Sequence, residues 1–102
     1  MATILIVDDS VTMMEGHKRI LETQGHTVHH AENGEEGVAR ALELVPDLIL
    51  MDVVMPKMNG FECCLRIKKN TNLARIPMIF LSGSHDEKDK EKFFKKMYLR
   101  LT

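Results

Sequence analysis

The chain has 102 residues, 44% hydrophobic and 28% charged, with 14 basic against 15 acidic side chains. That size holds one domain with a single core and is too short for two, and the near-neutral balance gives no electrostatic case for nucleic acid or an anionic membrane as the main partner. No apolar stretch approaches the roughly 20 residues that cross a bilayer, and the N-terminus enters a strand pattern without a signal-peptide layout, so the cytoplasm is the expected compartment.

Short apolar runs alternate with amphipathic stretches, the pattern of a parallel sheet joined by crossover helices. Residues 3–7 (TILIV) read as the first strand. Ser10 is placed to cap a helix carrying Val11, Met14, Lys18 and Leu21 at helical spacing, and Gly25 is placed to stop it. Gly16 weakens this helix by about 1 kcal/mol relative to alanine. The segment TVHHA (27–31) reads as a second strand, less apolar and therefore expected near an edge. Asn33 caps the next helix, with Val38, Ala41, Leu42 and Val45 expected on its buried face and Pro46 ending it. Residues 47–51 (DLILM) show no polar alternation, as expected for a central strand covered on both faces. The loop VVMPKMNG leads to a helix over about 61–69, and PMIFLS (77–82) reads as the fourth strand. From Asp86 the chain reads as a charged, solvated helix with Phe93 and Phe94 as its apolar anchors.

Cys63 and Cys64 are neighbours on a helix, one expected to face the core and the other to lie near the surface; spaced partners for redox or metal chemistry are absent. The five histidines, His17, His26, His29, His30 and His85, show no metal-binding spacing and read as surface or boundary residues. No glycine-rich nucleotide motif is present.

The acids carry the chemical signal. In a parallel α/β sheet all strand C-terminal ends lie on one edge, where ligands bind. Asp8 and Asp9 end the first strand, Asp52 ends the third and Ser82 ends the fourth. Three carboxylates and a hydroxyl therefore converge from distant parts of the chain. At an effective dielectric near 20, two unit charges ~4 Å apart interact by about 4 kcal/mol, so three bare carboxylates oppose one another and a divalent cation relieves them. Magnesium suits such a site best, since it is held by one or two carboxylates, keeps several waters and commonly works with a phosphate group.

Asp8-Asp9, the segment LILMDVVMPKMNG around Asp52, with Met55, Pro56 and Gly60 in register, and Ser82 closing PMIFLSG together resemble the receiver domain of two-component response regulators, from residue 3 to about 92. The resemblance implies a flavodoxin-like, doubly wound parallel sheet of strand order 2-1-3-4 and a single receiver domain over 1–102. It makes Asp52 the phosphoacceptor for a sensor histidine kinase or phosphotransfer protein. Magnesium would be held by Asp9, Asp52 and the carbonyl of Val54, with Asp8 acting through water or as a further ligand. Ser82 would bind the phosphoryl oxygen and swing inward, Gly83 would leave room for the phosphate, Pro56 would stiffen the loop and Gly60 would serve its backbone geometry. The output would be read by a downstream target protein. The family's fifth strand, its Lys-Pro pair and its fifth helix have no visible counterpart near residues 93–102, and Lys95 and Lys96 stand at the wrong spacing for the salt-bridging lysine. An unfinished sheet would expose the fourth-strand edge to the tail, Tyr98 to Thr102, or to a second copy in a homodimer. A receiver-shaped interaction module that does not switch is the alternative. A magnesium-dependent phosphatase-like hydrolase is disfavoured, because such enzymes place two acids one residue apart after the first strand and Asp8 and Asp9 are adjacent.

Overall fold

The computed structural model describes residues 1–52 and 58–81. Chain order is β1 (Thr3–Val7), α1 (Val11–Thr23), β2 (Thr27–Ala31), α2 (Gly34–Leu44), β3 (Leu48–Asp52), α3 (Gly60–Lys69) and β4 (Met78–Leu81). The sheet is parallel throughout, in the order β2-β1-β3-β4. The expected order therefore holds. The less apolar β2 is an edge strand, while the uniformly apolar β1 and β3 are central, as burial on both faces requires.

Period-two alternation sorts the strand residues onto two faces. Leu5, Val7, Ala31, Ile49 and Met51 join Cys63 and Ile67 of α3 and Ala41 of α2 in the larger core. Ile4, Ile6, Val28 and Leu50 point the other way, onto Met14 of α1. On that second face Ile79, paired with Leu50 across β3 and β4, is 53% exposed. Among the described residues α1 is the one helix on this side, and it lies over β1 and β2.

Each helix begins on a side-chain cap. Ser10 Oγ accepts from Met13 N (3.3 Å), Asn33 Oδ1 from Glu36 N (2.9 Å) and Asn59 Oδ1 from Glu62 N (2.9 Å), each satisfying an N–H that the helix leaves unpaired. Gly25 ends α1 as expected: its φ of 89° is left-handed, and Gly25 N and His26 N return to the carbonyls of Glu22 and Leu21. α2 stops ahead of Pro46 as expected, with Val45 as its cap making the reversal at φ 43° and ψ 64°. The buried face of α2 differs from expectation: it is rotated, to Gly34, Gly37, Val38, Ala41 and Leu44, leaving Leu42 and Val45 49% and 53% exposed. Glycines at 34 and 37 let the helix sit so close to Met58, Val7 and Cys63 that they define its inner face. In α1 the expected face is half right: Met14 is buried and Leu21 partly so, but Val11 is exposed.

Both cysteines are buried, against the expectation of one near the surface. Burial pushes the Cys63 thiol up to about 12 and the Cys64 thiol to about 11, from an ordinary 9.0. Cys63 Sγ lies 3.3 Å from Gly34 O, to which it donates. Lys68 Nζ donates to Ala74 O (2.8 Å) and Ile76 O (2.6 Å), closing the loop between α3 and β4, and burial pulls its pKa below the ordinary lysine range. The tail, the fourth-strand pairing beyond Leu81 and the lysine candidates Lys95 and Lys96 lie outside the described residues.

Candidate functional site

Parallel register brings the acids together. Val7 pairs with Met51 across β1 and β3, so the next residues, Asp8 and Asp52, leave their strands side by side at the C-terminal edge. One carboxylate oxygen from each of Asp8, Asp9 and Asp52 lies within 4.8 Å of the other two. Asp8 and Asp52 are buried, 4% and 9% exposed, and Asp9 is exposed. Two unit charges ~5 Å apart at an effective dielectric near 20 repel by about 3 kcal/mol, a repulsion that a cation held between them would relieve. All its donors are hard oxygens, the set that suits magnesium or calcium and not the softer transition metals.

Neighbouring groups fix Asp8 in place. Asp8 N donates to Ala31 O (3.0 Å), extending the β1–β2 ladder one residue past the strand. Ser10 N donates to Asp8 Oδ1 (2.8 Å), aiming that carboxylate back over the turn into α1. His30 Nε2 lies 2.9 Å from Asp8 O. A carbonyl oxygen only accepts, so Nε2 carries the proton there. His30 was legible only as a boundary histidine; its approach to Asp8 follows from the β1–β2 pairing, which the sequence does not display.

On the third strand the site is closed from the α3 side. Gly60, the first residue of α3, is buried against the backbone of Asp52 and Met51. Its φ is not left-handed, Gly25 being the one described glycine with positive φ. The expectation that Gly60 serves a special backbone conformation is therefore replaced by one of space: there is no room for a Cβ. Phe61 packs edge-on against Phe80 of β4, ring centroids 6.2 Å apart, and Met58 lies buried against Gly34. Of the sequence-predicted site, Asp8, Asp9 and Asp52 are thus brought together, while Val54, Met55, Pro56, Ser82 and Gly83 lie outside the described residues.

Residues 4–98 match the family model described as the response regulator receiver domain. The protein PilH of Pseudomonas aeruginosa is 47% identical over 90 residues, covering 88% of this chain and 74% of that one. Two other relatives, 38% and 37% identical, are much longer, and the chain spans 12% and 37% of their lengths. Among solved structures, a putative response regulator from Chloroflexus aurantiacus superposes with a TM-score of 0.85 at 30% identity, covering 92% of this chain and 77% of that one. The chemotaxis protein CheY4 of Vibrio cholerae gives 0.83 at 25% identity, covering 100% of this chain and 99% of that one. With an acid cluster at the C-terminal edge of a 2-1-3-4 parallel sheet, the chain belongs to the response regulator receiver domain family, the phosphorelay signalling modules of two-component systems.

Proposed function

We propose that Asp52 is the phosphoacceptor, receiving its phosphoryl group from a histidine kinase or phosphotransfer protein, with Asp8 and Asp9 completing a magnesium site. The observation that carries this reading is the three-carboxylate cluster drawn from two adjacent strand ends, two of its members buried. A buried group of like charges has no structural purpose of its own, whereas a cation and an incoming phosphoryl group give it one.

In the reaction one Asp52 carboxylate oxygen attacks phosphorus. The donor's P–N bond breaks, its electron pair returns to the imidazole nitrogen, and an acyl phosphate forms on Asp52. Asp8, held by Ser10 N, Asp9 and Asp52 would hold the ion, with the Val54 carbonyl as a further ligand by the family's pattern. Bound magnesium supplies neutralisation of the charge that gathers on the phosphoryl oxygens. The product adds about −1.5 to −2 charges beside Asp8 and Asp9. By the family's pattern the Ser82 hydroxyl would bind the new oxygens, with Gly83 leaving room for them, and pass the change to a downstream protein partner.

The test is the intact mass of the protein after exposure to a small acyl-phosphate donor with magnesium. One phosphoryl adduct is expected, none in Asp52→Asn, and none when a chelator replaces magnesium. A full adduct in Asp52→Asn, or equal labelling in chelator, defeats the assignment.

A further inference from the structure

We infer that Gly60 is a positioning residue for the phosphoacceptor: α3 begins so close to the Asp52 peptide that only a residue without a side chain lets the Asp52 carboxylate stand in register with Asp8 and Asp9. The inference rests on the phosphoacceptor reading of Asp52.

A Cβ on Gly60 would overlap the Asp52 carbonyl oxygen outright and lie 3.0 Å from both the Asp52 carbonyl carbon and Met51 Cγ. The obstacle is backbone, so no rotamer change clears it. Glycine is a poor choice for a helical position, and with no left-handed φ here its conformational freedom is not in use. Close approach is the remaining reason for it. Nor is α3 free to retreat. Asn59 caps it through Glu62 N, Phe61 is set against Phe80, and Cys63 and Ile67 are sealed in the core. Asp52 is the last residue of β3, paired with Leu81 of β4, and the overlap falls on its own carbonyl, so a side chain at position 60 pushes directly on the peptide that carries the nucleophile and displaces it from its partners. Relieving the overlap takes a shift on the order of 1 Å, a misplacement that costs about 100-fold in rate where transfer depends on alignment.

The contrast is Gly16, where a Cβ meets nothing within 4 Å. Gly16→Ala should raise helix stability without touching the site, and provides a firmer background for the test. At saturating magnesium, the rate of Asp52 labelling is measured against the concentration of a small acyl-phosphate donor. The proteins compared are the parent, Gly60→Ala, and Gly60→Ala combined with Gly16→Ala, each followed through its urea transition. The expected result is a folded variant whose maximal rate falls about 100-fold, with the half-saturating donor concentration little changed. In the metal-free protein the carboxyl ¹³C resonance of Asp52 should shift, while that of Asp47, at the opposite end of β3, stays in place. A folded Gly60→Ala labelled at the parent's rate with an unmoved Asp52 resonance overturns the inference. Failure to fold in both backgrounds overturns it too, since Gly60 is then a folding residue. Absence of labelling in the parent itself is a different failure: it defeats the phosphoacceptor reading and takes the positioning role with it.

Discussion

Two glycines in helix interiors, Gly16 in α1 and Gly37 in α2, should respond differently to the same substitution: a gain in stability at Gly16 and none at Gly37. Replacing a helical glycine by alanine stabilises by about 1 kcal/mol when nothing else changes, because the unfolded chain loses freedom. At Gly16 nothing lies within 4 Å of the new methyl, so that gain should appear in full. At Gly37 the methyl would sit 2.9 Å from Val7 Cγ1, 3.0 Å from Val7 Cγ2 and 3.3 Å from Cys63 Sγ. Val7 and Cys63 are fully buried. A β-branched side chain is restricted at χ1, so Val7, buried on a central strand, has little freedom to move aside. Overpacking of this kind costs roughly 1–3 kcal/mol, which offsets the helical gain and leaves Gly37→Ala between about neutral and 2 kcal/mol less stable than the parent. The two variants should therefore differ by about 1–3 kcal/mol. With a urea slope of ~1.5 kcal/mol per M, each 1 kcal/mol moves the midpoint by about 0.7 M. Equilibrium urea unfolding, followed by far-ultraviolet circular dichroism, resolves this. A Gly37→Ala midpoint equal to that of Gly16→Ala would refute the claim that glycine at 37 is there for α2–β1 proximity.

Val45 holds a left-handed conformation that costs a β-branched residue roughly 1–2 kcal/mol, and its side chain is half exposed, so Val45→Asn should stabilise by about 1 kcal/mol in the same urea assay. A lower midpoint would place Val45's contacts above its strain. The cysteines set an alkaline limit. Their folded pKa values, about 12 and about 11, stand above the unfolded 9.0, so their contribution is complete below pH 9 and is lost as pH rises toward those values. From pH 8 to pH 10 the unfolded chain gains about 1.4 kcal/mol of ionisation per thiol, so the parent should lose roughly 2–3 kcal/mol more stability than Cys63→Ala/Cys64→Ala over that range. Parallel losses in the two proteins would contradict this.

The fold was legible because its strongest signals are local. Four apolar runs, two polar caps at Ser10 and Asn33 and a stop at Gly25 specify where elements begin and end, and β2's histidines mark it as an edge, whereas the Asn59 cap of α3 emerged only in the structure. Hydrophobicity failed where glycine took its place. In α2 the periodic apolar residues Leu42 and Val45 looked like the core face, but closeness to β1 and α3 is won by residues with no side chain, Gly34 and Gly37, which carry no hydrophobic signal at all. Cys64 was missed for a related reason. Two adjacent helical positions are 100° apart, which favours one buried and one exposed, but α3 is covered widely enough to bury both.

The same distinction runs through the site. Its charged members announce themselves, since an acid directly after an apolar strand is conspicuous and parallel strands bring all such ends to one edge. What holds them is quieter. The Ser10 amide on Asp8, the His30 ring on the Asp8 carbonyl and the bare Cα of Gly60 against Asp52 are all contacts to or from the main chain. Such contacts depend on register and on interaxial distance to within an ångström, quantities that residue identity constrains weakly. Phosphoryl transfer asks little of a protein in covalent chemistry and much in alignment. It follows that the residues most informative about whether this chain reacts are not the three carboxylates, which any reading of the sequence finds, but the small and neutral groups that decide where those carboxylates stand.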